Sequence, residues 1–403
     1  MDGERDSLNL AEGKRLSIIS TLDGLAAVPQ IRRSDGSWRR ARAGDGVAEA
    51  LLAMLAVAPA STRSGAFTVR AWSARSARGE RPITVDQTNE SVIVGDEAVV
   101  KWATHLQAGP HPAPHRIEVL RTNGFRSMPA PWGIVTWQPD GCASTLVVSV
   151  DEYLPEAIDG WTWAVELIAV ASRGRDPQCD AVVSAVAEVG TVVADLHAAL
   201  AGTVSTASRV DAKRWCSSAL DTLREAASVG DAFIKQTLTQ RRTTIEDTLS
   251  TLGGLAGTPV IEGHGDLHVG QILQYAGGYR VTDFDGNPVL PAAERALPIP
   301  AALDVAGFMQ SLTHAAIVAQ RHHRVDPQAL VEVERCARET FLLNYTRHLA
   351  ELGCAELFDP APLAAFRLQQ VLREVVYASR HLRRWMYVPD AALPMLLDER
   401  VSG

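Results

Sequence analysis

Two acidic loops separated by a short β-hairpin, set between long helical stretches, constrain this chain more than any other feature. The first loop reads His264-Gly265-Asp266-Leu267-His268-Val269-Gly270-Gln271, and the second Thr282-Asp283-Phe284-Asp285-Gly286. Hairpin strands are read over 272–273 and 279–282, turning at Gly277-Gly278. Apolar periodicity of about 3.6 residues predicts helices over 161–172, 179–201, 212–228 and 231–252 before the loops. It predicts further helices over 301–321, 327–352 and 362–385 after them. Upstream, β-branched runs over 91–94 and 98–102 are joined by a Gly-Asp-Glu turn, the mark of a β-hairpin. A helix over 116–123 and strands over 133–137 and 144–150 follow. Strands with one helix, then mostly helices, describe an α+β chain. Composition shifts divide it into residues 1–82, an accessory cap with short apolar runs and Arg-, Gly- and Ser-rich stretches, then 83–155, β-rich, and 156–403, helical.

The two loops carry the residue types that phosphoryl transfer to an alcohol requires. Such a reaction needs a carboxylate to take the hydroxyl proton and oxygen ligands that hold Mg²⁺ against the phosphates. Asp266 suits the first role. Gln271 and Asp283 suit the second, and Asp285 is placed to hold a second ion or its water. An HGD triplet is commonplace, and DFDG alone is an ordinary turn. The two motifs 17 residues apart, with a glutamine five positions after Asp266 and a Gly-Gly hairpin between, form a much rarer arrangement.

Composition narrows the partners. The chain has 403 residues and a formal net charge of −8, which argues against nucleic acid. No apolar run of about 18 residues suggests a membrane partner. Five scattered cysteines without CxxC spacing read as reduced thiols, and with a charged N-terminus they point to a cytoplasmic location. Oligomeric state stays open between monomer and homodimer. Of 39 basic residues only Lys14, Lys101, Lys213 and Lys235 are lysine. A lysine at the end of an apolar strand, as Lys101 is, therefore stands out from an arginine background, although a solvated strand end is the alternative.

The HGDLHVGQ and DFDGNP motifs resemble the aminoglycoside-phosphotransferase and protein-kinase-like superfamily, in particular its maltokinase-like branch. QTNESVIVGDEAVVKW, VDEYLPEAIDGW, VADLHAAL, LDVAGFMQSLTHAA and EVVYASR resemble that branch in the same order. The resemblance covers the chain from about Gln87 onward and, more weakly, the N-terminal cap. It implies a bilobal protein-kinase-like fold with a small β-rich N-lobe, a helical C-lobe and a cap subdomain. It also implies ATP and Mg²⁺ as cofactors, with Lys101 gripping the phosphates and Glu118 as its ion-pair partner. The turn Gln87-Thr88-Asn89-Glu90-Ser91 takes the place of a glycine-rich loop, and Asp151 and Tyr153 fall in the adenine-reading hinge.

The acceptor is read from the C-terminal helices. Asp304, Gln310 and His314 share one helix face with Gly307 and Ser311, a stripe suited to sugar hydroxyls or to solvent. Glu374 and Tyr377, with Trp385 beyond, place a carboxylate beside aromatic rings, which suits a sugar or a packed core. His268 is read as a donor to substrate or as a loop brace. Asp285 and Asn287 depart from the maltokinase DFEGEP, and the sequence is most similar to the bacterial glucosamine kinases. That similarity implies a sugar kinase making glucosamine 6-phosphate. Maltose, an aminoglycoside, or nucleotide binding without catalysis remain the alternatives.

Overall fold

The structure, a computed structural model, describes residues 3–22, 24–83, 90–107 and 109–399. The chain divides into two compact units, Met1–Ala157 with Asp283–Leu297, and Ile158–Thr282 with Pro298–Gly403. The second acidic loop thus belongs to the first unit.

In the first unit β1 (Glu4–Ala11), β2 (Lys14–Thr21), β3 (Gly24–Arg32) and β4 (Trp38–Arg40) form an antiparallel meander, followed by α1 (Val47–Val57). A seven-stranded sheet then runs in the order β5-β6-β10-β11-β9-β8-β7. Its strands are β5 (Ser61–Ser64), β6 (Phe67–Ala71), β7 (Glu80–Pro82), β8 (Glu90–Val94), β9 (Ala98–Trp102), β10 (Pro131–Trp137) and β11 (Thr145–Glu152). Helix α2 (Ala113–Thr122) lies between β9 and β10 in the chain. Composition placed a boundary after residue 82, and the structure does not divide there. β5 and β6 join the same sheet as β8 to β11, and Leu16, Leu51 and Leu52 share one core with Val100, Trp102 and Val148. Residues 1–82 bury too much apolar surface against that sheet to stand alone as a cap.

The second unit is mainly helical. It holds α3 (Gly160–Ala171), α4 (Asp180–Ala199), α5 (Arg209–Val229), α6 (Ala232–Gln240) and α7 (Arg242–Ser250). Two short ladders follow, β12 (Ser205–Thr206) with β13 (Pro259–Val260), and β14 (Ile272–Tyr275) with β15 (Gly278–Val281). After α8 (Ala292–Arg295), in the first unit, come α9 (Ala301–His322), α10 (Pro327–Glu351), α11 (Leu363–His381) and α12 (Tyr387–Glu399). The helix read over 231–252 is two helices meeting at Arg241, and the one read to Trp385 stops at His381. α4 and α9 are long and apolar enough to cross a membrane, but much of each is buried within the helical unit.

Candidate active site

In the sheet unit the chemistry gathers around Lys101. Strand register sets Ser91 on β8 and Ser149 on β11 directly opposite it on either side, so the three side chains share one face. Asp151, two residues beyond Ser149, lies on that face too and brings Oδ2 to 3.9 Å from Lys101 Nζ. The Ser149 hydroxyl donates to the same carboxylate at 3.5 Å. Burial works against the Lys101 ammonium, but Asp151, Asp283 and Asp285 outweigh it and raise its pKa. Burial raises the Asp151 carboxyl, with Lys101 and Ser149 pulling the other way. Ser91 Oγ is buried without a hydrogen-bond partner.

The loop after β15 adds two more carboxylates. Asp283 has φ 64°, a left-handed conformation uncommon outside glycine. Asp285 is pushed up to about 7, first by burial and then by Asp283, against the pull of Lys101 and Arg295. Asp283 is exposed and Asp285 half-buried, and two neighbouring carboxylates that repel each other are the surroundings a divalent cation relieves. The residues present therefore fit Mg²⁺. His111 Nε2 lies 4.0 Å from Asp285, and burial, with Arg295 and Arg116, lowers its pKa to about 4, leaving the ring neutral.

Glu118 corrects the reading of α2. Its carboxylate pairs with Arg70 at 3.1 Å, while Asp151 takes the place beside Lys101. Of the turn assigned to the phosphates, residues 87–89 lie outside the described residues, and Glu90 pairs with Arg40. Tyr153 donates its amide to Glu97 O at 2.8 Å, and the Arg81 guanidinium lies 5.1 Å from its ring centre.

In the helical unit the Asp266 loop is held by its own backbone. Asp304, fully buried on α9, accepts the amides of His264 and Gly265 at 2.7 Å each. His197 Nε2 lies 3.3 Å from the same carboxylate, and its Nδ1 2.8 Å from the Tyr345 hydroxyl. Burial pushes the Asp304 carboxyl up, but these partners outweigh it and hold its pKa below the usual range. Asp304 was read as a sugar ligand. With both oxygens engaged inside the protein, it is instead the anchor of the loop. Gly307, one turn along, is needed for the same approach, since a Cβ there would stand 2.5 Å from Leu267 O.

The loop of Asp266 also carries His268, which leads through Trp161 and Trp385 to Glu374, while Arg373 feels the charge of Asp266 itself. His268 Nδ1 accepts the Gly270 amide at 3.0 Å, and its ring lies 6.1 Å from that of Trp161. Trp385 packs edge-on to Trp161 at 5.8 Å and donates its indole N–H to Glu374 at 3.1 Å. Burial raises the Glu374 carboxyl. Burial lowers the Arg373 guanidinium, opposed by the charge of Asp266. Gln271 presents its amide nitrogen 3.4 Å from His268 Nε2.

The chain is 60% identical to a glucosamine kinase of Mycolicibacterium smegmatis over 399 residues, 99% of each sequence. It belongs to the glucosamine kinase family. A glucosamine kinase of Streptacidiphilus jiangxiensis is 44% identical over 402 residues, covering 98% of this chain and 91% of that one. A solved structure of a glucosamine kinase in complex with glucosamine, ADP and inorganic phosphate superimposes with a TM-score of 0.87 at 41% identity. That match covers 98% of this chain and 94% of the other. No protein-family model matches the chain.

Membership in this family makes the chain a phosphotransferase and sharpens what the sequence missed. Trp161 and Arg373 stand with the expected residues: Trp161 closes the segment VDEYLPEAIDGW, where it was assigned no role, and Arg373 immediately precedes EVVYASR. Gln310 and His314, read as sugar-facing or solvated, are both buried on α9. Arg367 donates to Gln310 at 3.2 Å, and burial, then Arg367 and His268, lowers the His314 pKa to about 3. Tyr377 is 46% exposed and packs on His381 at 5.5 Å.

Proposed function

We propose that this protein transfers the γ-phosphate of ATP to the 6-hydroxyl of glucosamine, with Asp266 as the base. The observation that carries the reading is the loop of Asp266, clamped by Asp304 and carrying His268, from which Trp161, Trp385 and Glu374 follow in successive contact. A carboxylate beside indole faces suits an amino sugar, since the charge meets the ammonium and the rings take the pyranose face. Asp266 accepts the hydroxyl proton as the sugar oxygen bonds to the γ-phosphorus, and the bond to the ADP oxygen breaks. Lys101, oriented by Asp151, holds the phosphates as a point charge on a rigid strand. Ser91 and the backbone near Tyr153 complete the nucleotide contacts. Asp283 and Asp285 would hold Mg²⁺, which when bound with ATP neutralises the phosphate oxygens.

An ATP-consumption assay with glucosamine, glucose, maltose and an aminoglycoside panel tests the reading. Glucosamine is expected to be turned over with the highest kcat/KM, and phosphorus–proton correlation should place the product phosphate on carbon 6. Equal turnover of glucose would remove the amino-sugar assignment. Asp266→Asn should lower kcat by about 10²–10⁴-fold, the usual contribution of a positioned base.

A further inference from the structure

Helix α2 sends two neighbouring charged residues to different places. Glu118 turns to Arg70, whereas Arg116 is buried, only 1% exposed. Its guanidinium donates from Nη1 to Phe284 O at 3.0 Å and from Nη2 to Arg295 O at 2.9 Å. Phe284 is the residue between the two acidic side chains of the loop. One planar fork thus bridges the start of the loop to the helix that ends it. Arg295 reinforces the closure, with Nη1 3.5 Å from Asp285 O and Nη2 bonded to Gln107.

The loop so held is conformationally demanding. Asp283 sits at φ 64° without being glycine. Gly286 has φ 71°, and a Cβ on it would lie 3.1 Å from Arg116 Nη1 and 3.5 Å from Arg295 Cβ. A left-handed aspartate persists where its surroundings over-determine it, and here the donors from α2 and α8 do so. A buried guanidinium is costly unless balanced, and its fixed fork spans two carbonyls that a lysine cannot reach together.

We propose that Arg116 is a positioning residue for the divalent cation, holding Phe284 and Arg295 so that Asp283 and Asp285 face the metal together. Through it α2 is tied to the metal loop rather than to the strand lysine. This rests on the assignment of Asp283 and Asp285 to Mg²⁺ made above.

The test is Mn²⁺ binding to the ADP-bound protein, followed by electron paramagnetic resonance, in Arg116→Lys, Arg116→Met and Gly286→Ala. Mn²⁺ affinity is expected to fall at least about tenfold in all three, while ADP affinity without metal and glucosamine affinity stay within twofold. A mere packing role would lower the melting temperature and leave metal affinity where it was. Should Arg116→Met fail to fold, Arg116→Lys and Gly286→Ala decide the matter. Mn²⁺ affinity within twofold of the parent in those two overturns the proposal, and so does full recovery by lysine, since charge alone would then suffice. A parent protein that phosphorylated no glucosamine, while Arg116→Lys still lost Mn²⁺ affinity, would sink the substrate assignment and uphold this inference.

Discussion

The two units hold the carboxylates of the candidate site by opposite means. In the sheet unit, burial raises both Asp151 and Asp285, Lys101 pulls each the other way, and Asp283 and Arg295 act on Asp285 besides. In the helical unit the loop of Asp266 is fixed by Asp304 through two backbone amides, and aromatic rings stand beside it. Charge against charge suits a highly charged ligand whose arrival changes the balance, as a nucleotide with its metal does. A backbone clamp suits a base whose position must not depend on what is bound, because amide dipoles neither titrate nor move independently.

This contrast can be broken by mutation. Removing a charge from the sheet unit should alter nucleotide handling more than stability. Lys101→Met is expected to lower kcat/KM for ATP by about 10²-fold, the scale of one lost charge-stabilising donor. Its KM for glucosamine and its thermal midpoint should stay near the parent values. If the melting point fell while ATP kinetics held, the contrast would fail. Removing the clamp should do the reverse. Asp304→Asn turns one acceptor into a donor facing a backbone N–H, at a cost of about 1–3 kcal/mol in unfolding free energy. We expect kcat to fall about tenfold with it, read from chemical denaturation and steady-state rates side by side. The smallest effect separates the two residues of α2. Glu118→Gln removes half of a solvent-exposed ion pair with Arg70, so stability should move by less than about 1 kcal/mol and the rate constants by less than twofold. A tenfold rise in KM for ATP would restore Glu118 as the partner of Lys101.

How much of this was legible in the sequence depended on whether the chemistry was local. Asp266, Gln271, Asp283 and Asp285 lie in two short loops whose residue types and spacing announce a reaction. The strand that carries Lys101 is readable because Ala98, Val99 and Val100 form a short apolar run before it. Arg116 was not readable, since the carbonyls it holds belong to residues 284 and 295, far along the chain. Helical periodicity shows that Arg116 and Glu118 point in different directions, but not which direction is inward when both are charged. The polar stripe on α9 misled for a related reason. Asp304, Gln310 and His314 do share a face, yet that face is buried, and the partners of Asp304 and Gln310 come from α4, α11 and the loop of Asp266. The boundary at residue 82 followed a change in composition, which is blind to strands pairing across it. Trp385 was expected on a continuous helix, but α11 ends at His381, and the turn that follows brings its indole back to Glu374.

The sheet unit is discontinuous, because Asp283–Leu297 returns to it after the chain has built much of the helical unit. During synthesis from the N-terminus, Arg116 is made long before Phe284 and Arg295, the two residues whose carbonyls its guanidinium serves. Until residue 297 leaves the ribosome, the sheet half lacks the two carbonyls to which this buried guanidinium donates in the finished fold. It cannot complete its fold ahead of the rest. A nascent chain stalled before Asp283 would therefore stay open around α2, and both units of this kinase must reach their native state in the last quarter of translation.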